Sequence, residues 1–172
     1  QKVDPVTTSI LQDILLSITR QMDSYIERAS PNFVTAVIHD VSTGVFTDQG
    51  EVVALESHIS NQSIGYFQIG LLLEEFDEIN PGDVFVMCDP YLGAGTHPPD
   101  WSFFRPIFYQ GNLEFFVMIR THQVDNGSWQ PRAYNPMVYD LHSEGLRLRP
   151  TRIYENDKPV EAIYRLILDN VR

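Results

Sequence analysis

Two histidines and an aspartate stand at the ends of segments that the sequence marks as strands. His97 and Asp100 flank a Pro-Pro pair, and His122 follows a long apolar run. Imidazole nitrogens and carboxylate oxygens are the ligand types that bind divalent transition metals such as Zn, Mn or Fe. If the three side chains converge, they form a metal centre, and this is the first functional hypothesis for the chain.

The elements around these residues favour such a convergence. Runs rich in Phe and Ile at 102–109 and 113–120 predict the two strands of one hairpin. Because the start of one antiparallel strand lies beside the end of the next, we expect His97, Asp100 and His122 to meet at one end of this hairpin. The two prolines stiffen the loop between the first two residues, which lowers the entropy lost when the loop presents ligands.

A fourth ligand is expected from a neighbouring segment. The apolar run 34–38 is typical of a strand, and His39 and Asp40 follow it directly, so either side chain is a candidate. Asp89 and Asp125 are candidates for orienting the imidazoles through hydrogen bonds. Two imidazoles and one or two carboxylates would leave a position for water or substrate, as in catalytic metal sites.

Each of these residues also has an ordinary structural interpretation. His97 would then brace its loop, His122 would be a hydrogen-bonded core histidine, and Asp100 would cap a turn. His58 lies in a polar stretch and is either a surface histidine or an acid or base, since imidazole titrates near neutral pH. Cys88 ends an apolar run and is interpreted as packing rather than as a nucleophile.

The remaining segments predict an α+β domain. Residues 5–29 repeat apolar side chains at helical spacing, with Asp4 as the N-cap and Pro5 at the first helical position. We predict a mixed or antiparallel sheet flanked by this N-terminal helix and by a C-terminal helix. Further strands are predicted at 44–47, 51–55, 84–87 and 148–153, and further helices at 64–76 and 160–168. The buried side of the middle helix is predicted to carry Ile64, Phe67, Leu71 and Leu72.

Composition narrows the classes of function. The 172 residues suffice for one domain, and we interpret 1–172 as a single metal-binding domain, either the front part of a longer polypeptide or one subunit of a split protein. The net charge of −11 argues against nucleic acid and against an anionic membrane surface as partners. The single cysteine fits a reducing compartment, and neither a signal peptide nor a membrane-spanning apolar run is recognised, so we predict a cytoplasmic protein.

Short motifs are distributed along the whole chain. They are Asp4-Pro5-Val6-Thr7, Asp40-Val41-Ser42, Asp48-Gln49-Gly50, Glu56-Ser57-His58-Ile59, Pro81-Gly82-Asp83-Val84-Phe85, Asp89-Pro90-Tyr91, Gly95-Thr96-His97-Pro98-Pro99-Asp100, His122-Gln123-Val124-Asp125, Glu144-Gly145-Leu146-Arg147 and Leu166-Ile167-Leu168-Asp169-Asn170-Val171-Arg172. In order and content they resemble the N-terminal part of the hydantoinase B family. That family includes ATP-dependent hydantoinase, 5-oxoprolinase and caprolactamase subunits, and the large subunits of acetone and acetophenone carboxylases.

The resemblance implies a metal site at Asp40, His97, Asp100 and His122. It also implies a partner subunit with an actin-like ATPase fold, which uses ATP to phosphorylate the substrate. In such enzymes the phosphorylated intermediate is hydrolysed or carboxylated at the metal-bearing subunit. Because family members are usually several times longer than this chain, the rest of its own subunit is a further expected partner.

Two departures from the family pattern favour the ketone carboxylase branch. Hydantoinase-like members often carry a second histidine and a Gly-Gly in the motif that begins at His122, and many carry an aliphatic residue at Pro98. We therefore predict a subunit of an ATP-dependent ketone carboxylase of the acetone or acetophenone type, with a ketone and bicarbonate as substrates and with His58 or Asp125 assisting proton movement. The alternatives are a cyclic amide hydrolase subunit and a non-catalytic assembly subunit that has kept the fold.

Overall fold

The computed structural model describes residues 4–57, 64–93, 95, 97–131 and 135–172, which form one sheet with helices packed on it. The helices are α1 (Pro5–Ala29), α2 (Phe33–Ala36), α3 (Ile64–Glu75) and α4 (Glu161–Leu168), and a short 3-10 helix covers Leu141–Glu144. The strands are β1 (Val41–Thr47), β2 (Val52–Ser57), β3 (Val84–Met87), β4 (Asp100–Tyr109), β5 (Asn112–His122), β6 (Thr151–Glu155) and β7 (Lys158–Pro159).

The 7-stranded sheet has the order β2-β1-β5-β4-β3-β6-β7, and every neighbouring pair is antiparallel. The predicted α+β fold, with an N-terminal and a C-terminal helix beside the sheet, is confirmed. Strands β4 and β5 form the predicted hairpin. Its turn contains Gln110 and Gly111 with φ values of 51° and 86°, the left-handed conformation that a tight hairpin turn requires.

Helix α1 begins and ends where the sequence predicted. The carboxylate of Asp4 accepts hydrogen bonds from the backbone N–H groups of Val6 and Thr7 at 3.4 and 3.1 Å, which satisfies donors that a helix start otherwise leaves unpaired. The hydroxyl of Thr43 on β1 donates to the carbonyl of Thr19 at 2.8 Å and anchors α1 to the sheet. Neither α1 nor any other helix among the described residues combines the length and apolar character that a bilayer crossing needs.

The two faces of the sheet carry separate apolar clusters, because side chains alternate between the faces along each strand. One cluster packs with α3 and contains Phe46, Ile69, Leu72, Phe85, Phe104, Phe116 and Met118. The other packs with α4 and contains Val86, Cys88, Trp101, Leu148 and Ile153. Full burial of one phenylalanine stabilises a fold by about 1.5–3 kcal/mol. Strand β4, which leads to the candidate ligands, is therefore held from both sides.

The segment 34–38 is not a strand, and that prediction is wrong. The side-chain oxygen of Asn32 accepts a hydrogen bond from the N–H of Val34 at 3.0 Å and starts the helical turn α2. The apolar residues at the end of this segment suggested a buried strand. In the structure, Val37 and Ile38 are 69% and 56% exposed and lie outside the sheet. Strand β1 begins immediately after this helical corner.

The buried face of α3 also differs from the prediction. Phe67 is 56% exposed, whereas Ile69 and Leu72 are fully buried in the core. Leu71 is half-buried, and the side chain of Ile64 lies outside the described part of the chain. A helix with apolar residues nearly all round offers little periodic signal to identify the side that faces the sheet.

Other strand limits shift by a few residues. Strand β6 begins at Thr151 rather than at residue 148, because Pro150 has no N–H to donate to a sheet. The hairpin strands extend farther than predicted and include Asp100 and His122. This extension matters for the site, since both residues then hold fixed positions in the sheet.

Two glycines of α3 are expected to respond in opposite ways to the same substitution. A Cβ atom at Gly65 would lie 2.2 Å from Cζ of Phe46, so Gly65→Ala should lower the free energy of unfolding by about 1–3 kcal/mol through overpacking. A Cβ at Gly70 meets nothing within 4 Å. Gly70→Ala should therefore raise the free energy of unfolding by about 0.5–1 kcal/mol, because alanine loses less backbone entropy in a helix. Urea unfolding of both variants tests this, and shifts of the same sign would contradict it.

Candidate metal centre

The side chains of His97, Asp100 and His122 converge at one end of the β4–β5 hairpin. Oδ1 of Asp100 lies 3.2 Å from Nε2 of His97 and 3.2 Å from Nδ1 of His122. The three candidate ligand atoms all lie within 4.8 Å of one another, and the centroids of the two imidazole rings are 4.8 Å apart. The predicted meeting of these side chains is present, and their role as metal ligands stays a prediction.

Strand register brings this cluster together. Asp100 and His122 are direct partners in the β4–β5 ladder, so their side chains leave the sheet side by side on one face. The N–H of Asp100 donates to the carbonyl of His97 at 3.1 Å, which closes a turn. The N–H of Gln123 donates to the carbonyl of Pro99 at 2.8 Å and ties the proline loop to the end of β5.

Arg120 is a member of the cluster that the sequence analysis missed. It is 7% exposed, and its guanidinium forms an ion pair with Oδ2 of Asp100. Because Oδ2 is engaged in this way, Oδ1 is the oxygen that faces both imidazoles. Arg120 lies two residues before His122 and therefore on the same side of β5, which is the sequence signal that would have identified it.

The electrostatics of the cluster keep Asp100 ionised. Burial alone would raise the pKa of this carboxyl, but the hydrogen bonds with His122 and His97 and the charge of Arg120 outweigh burial and hold the pKa well below its usual range. Asp100 is consequently a carboxylate in the folded protein. A charged oxygen is the form that coordinates a metal.

Asp40 stands next to this cluster at the start of β1. Its Oδ2 atom lies 3.6 Å from Nδ1 of His122. Burial raises the pKa of Asp40, and the nearby charge of Asp100 adds to that rise. His39 was the other candidate for a fourth ligand. Its ring contacts Glu27, whereas the carboxylate of Asp40 lies beside an imidazole of the cluster.

The donor set fits one divalent cation. Ligands at about 2.1 Å from a tetrahedral ion are about 3.4 Å from one another. Three of the separations, 3.2 Å from each imidazole to Asp100 and 3.6 Å from His122 to Asp40, lie near that value, and the ligand atoms of His97, Asp100 and His122 all lie within 4.8 Å of one another. Two imidazole nitrogens and two carboxylate oxygens suit Zn, Mn or Fe.

Asp89 does not orient an imidazole, and that prediction is wrong. One of its oxygens accepts from the N–H groups of Tyr91 and Leu92 at 2.9 and 3.1 Å, and the other accepts from Arg147 at 2.7 Å. The side chain is 1% exposed. It fixes the start of the loop that leads to His97, so its contribution to the site is through the backbone.

Asp125 likewise serves the backbone rather than an imidazole. Its carboxylate accepts from the N–H of Gly127 at 3.0 Å and from the N–H of Arg172 at 2.6 Å, which links the loop after β5 to the segment after α4. A role of Asp125 in proton movement stays a prediction. His58, the other predicted acid or base, lies outside the described residues.

Cys88 is inert packing, as the sequence analysis interpreted it. Burial raises the pKa of its thiol to about 12, so the thiolate that a nucleophile needs is scarce at neutral pH. Its Sγ atom contacts the carbonyl of Leu146 at 3.2 Å and accepts from the N–H of Leu148 at 3.3 Å.

A polar pocket of about 480 Å³ opens beside His97. Its wall includes Tyr91, Tyr139, Asp140 and Glu144, and the carboxylate of Asp140 accepts from the N–H and the hydroxyl of Ser143 at 3.1 and 2.8 Å. The volume lies in the range of small-molecule sites. A substrate in this pocket would approach the cluster from the side of His97.

Known proteins are similar to this chain in sequence and in fold. The family model described as Hydantoinase B/oxoprolinase matches residues 4–172. Caprolactamase subunit beta of Pseudomonas jessenii is 30% identical over 99% of this chain and 29% of its own length.

The crystal structure of the ATP-dependent caprolactamase from Pseudomonas jessenii has a TM-score of 0.81 at 28% identity, over 100% of this chain and 30% of that chain. A nucleotide-free acetone carboxylase structure has a TM-score of 0.85 at 17% identity, over 98% of this chain and 23% of that chain, which shows a shared fold. The chain thus spans less than a third of the length of these relatives.

Replacing Asp89 is expected to give a pH-dependent loss of stability. Burial alone would raise the pKa of this carboxyl, but the hydrogen bonds from Arg147, Leu92 and Tyr91 outweigh burial and lower the pKa. A lowered pKa stabilises the fold above the pKa of an unfolded aspartate, about 3.9, and this stabilisation is lost as the pH falls through the folded pKa. Asp89→Asn should therefore lower the free energy of unfolding by about 1.5–3 kcal/mol near pH 7. This difference between the two proteins should shrink below a pH of about 4.

Urea unfolding of both proteins from pH 7 down to pH of about 3 measures this difference. The matched control is Asp157→Asn, which removes a carboxylate that pairs with Arg105 at 2.7 Å while the two side chains are 68% and 50% exposed. An exposed pair contributes about 0–1 kcal/mol. If Asp89→Asn lowers the free energy of unfolding equally at every pH, or by as little as the control does, the stabilising role of the Asp89 carboxylate is contradicted.

Proposed function

Because the chain belongs to the hydantoinase B/oxoprolinase family, as its motifs predicted, we propose that it is the metal-bearing domain of a subunit in an ATP-dependent enzyme that acts on a carbonyl compound. The observation that carries this proposal is the cluster of His97, Asp100 and His122, whose candidate ligand atoms lie within 4.8 Å of one another. Relatives with this fold are named as subunits of, or structures of, ATP-dependent enzymes.

The proposed ligands are His97, Asp100, His122 and Asp40. A divalent metal held there would act as a Lewis acid that polarises an oxygen of the substrate. Arg120 pairs with Oδ2 of Asp100, which leaves Oδ1 directed at the imidazoles of His97 and His122. This preorganisation reduces the rearrangement that binding would otherwise require.

Other groups of the chain would position the substrate and move protons. The pocket beside His97 is lined by Glu144, Tyr91 and Tyr139, whose carboxylate and hydroxyl groups would bind polar groups of the substrate. We retain His58 and Asp125 as proposed participants in proton transfer. The proline loop confines His97 to one region of space, which favours a fixed geometry between substrate and imidazole.

Ketone carboxylation is the first candidate reaction. It is supported by the motif at His122, which lacks the second histidine and the Gly-Gly of hydantoinase-like members, and by Pro98 in the preceding loop. In this reaction the partner would phosphorylate the ketone, as an enol phosphate, and bicarbonate, as carboxyphosphate. Carboxyphosphate would break down to CO2 and phosphate, and water would cleave the enol phosphate to an enolate and a second phosphate. The residues around the cluster would hold the enolate oxygen while its carbon attacks CO2 and the new carbon–carbon bond forms.

Hydrolysis of a cyclic amide is the second candidate. The match to caprolactamase subunit beta extends over 99% of this chain. Glu144 lines the pocket beside His97, and its carboxylate would accept from the N–H of a cyclic amide, a donor that a ketone does not have. These two observations favour hydrolysis, whereas the loop residues favour carboxylation.

The proposed partners are an ATPase subunit with an actin-like fold and the rest of a longer subunit. The length comparison supports the second partner, since the chain spans 29% of caprolactamase subunit beta. The single cysteine fits the cytoplasm, where we expect the complex to work.

Removing either histidine of the cluster should remove the metal without unfolding the protein. For His97→Ala and His122→Ala we expect the affinity for Zn²⁺ or Mn²⁺ to fall by more than the ~10–100-fold that changing a neighbour of a ligand costs. Elemental analysis after gentle purification and cation titration measure the effect. His142→Ala, a substitution of an exposed histidine, is the control and should retain the metal. A folded unaltered protein that binds no cation would support the non-catalytic assembly subunit instead.

The two reactions are separated by one assay on the assembled complex with ATP. Carboxylation predicts that a ketone is consumed only when bicarbonate is present. Hydrolysis predicts that a lactam ring opens at the same rate with and without bicarbonate. Ketone consumption and lactam opening are both measured by chromatography, and ring opening without bicarbonate would overturn the carboxylase assignment.

A further inference from the structure

His39, which immediately precedes the proposed ligand Asp40, adopts a left-handed backbone conformation. Its φ value is 62°, in the region that costs a side chain with a Cβ of order 1–3 kcal/mol unless the surrounding structure fixes it. The other described non-glycine residues with positive φ, Gln110, Asn156 and Asp157, lie in turns between adjacent strands. His39 instead lies in the corner between α2 and β1.

The left-handed residue redirects the chain toward the cluster. The N–H of Asp40 donates to the carbonyl of Val34 in α2 at 3.1 Å, and the N–H of Val41 donates to the carbonyl of His39 at 2.9 Å. Within two residues the chain therefore leaves a helical turn and enters β1. The consequence is that the carboxylate of Asp40 lies 3.6 Å from Nδ1 of His122.

Glu27 in the last turn of α1 holds this corner from the other side. Its Oε1 atom contacts Nδ1 of His39. Because a carboxylate accepts and does not donate, Nδ1 of His39 is the donor in this contact. The side chain of Glu27 is 18% exposed and that of His39 is 50% exposed, so the contact lies at the edge of the protein, where helix and sheet meet.

We propose that Glu27 and His39 are positioning residues for Asp40. The contact from α1 stabilises the left-handed corner, and the corner sets the distance between Asp40 and His122. This inference rests on the proposed function, because it takes Asp40 as a ligand. It assigns His39 a role outside the ligand set, in place of the direct ligation that the sequence left open.

The contact with Glu27 and the left-handed backbone at His39 can be removed by different substitutions. Glycine adopts positive φ without a steric cost, so His39→Gly keeps the corner and removes the contact with Glu27. His39→Val loses the contact and also disfavours the left-handed conformation, since valine is branched at Cβ. Glu27→Gln keeps the size of the side chain and removes its charge.

The test is titration of the chain with Zn²⁺ and separately with Mn²⁺, for these three variants and for each of them combined with Asp40→Asn. In the unaltered background we expect His39→Val to weaken cation affinity about tenfold, and His39→Gly and Glu27→Gln to weaken it less. In the Asp40→Asn background the same three substitutions should have no further effect, because the ligand that they position is gone.

Two controls separate positioning from general destabilisation. Gln110→Val places a β-branched residue at another left-handed position, with φ of 51°, in the hairpin turn at the opposite end of β4 and β5 from the cluster. Glu56→Gln weakens the contact of Glu56 with Arg20, a second link between α1 and the sheet, at 3.1 Å. Both are expected to leave cation affinity unchanged, whatever they do to the unfolding temperature.

The outcomes distinguish this inference from the proposed function. If the chain binds the cation through His97 and His122 but Glu27→Gln and His39→Val leave affinity unchanged, the positioning role is wrong and the metal centre stands. The positioning role is also wrong if these substitutions weaken binding equally in the Asp40→Asn background. If the unaltered chain binds neither cation, the positioning role and the proposed function both fall.

Discussion

A buried carboxylate shared by two imidazoles and a guanidinium is the interaction on which the site depends. Asp100 is 7% exposed, forms an ion pair with Arg120 through one oxygen, and directs the other at His97 and His122. Burying a charge costs free energy unless hydrogen bonds and opposite charge compensate it. Each partner therefore stabilises the ionised form of Asp100, which is the form that a divalent cation would bind.

The register of the β4–β5 hairpin is the constraint that creates this cluster. Asp100 pairs directly with His122, and Ser102 pairs with Arg120 one step along the same face. A slip of one residue in this register would move one set of side chains to the opposite face of the sheet. The apolar clusters on both faces oppose such a slip. The same register therefore packs the core and brings Asp100 beside His122.

The helical layer completes the site at the edge of the sheet. The side-chain amide of Asn32 donates to the carbonyl of His122 at 2.5 Å and also starts α2. The contact between Glu27 and His39 joins α1 to the corner that carries Asp40. Asn32 therefore both caps the short helix that precedes β1 and ties it to the end of β5. In the longer relatives the same fold is less than a third of the chain.

The sequence by itself determined the elements whose signals are local. The N-cap at Asp4 and the helical spacing after it defined α1, and the β-favouring runs around 110–112 defined the hairpin that gathers two histidines and Asp100. The local pattern left His39 and Asp40 open as the fourth candidate, and the tertiary structure placed Asp40 beside His122 and Arg120 against Asp100. Those choices depend on strand register and on a single backbone torsion. Both are fixed by contacts between residues far apart in the chain, to which local propensity and periodicity do not respond.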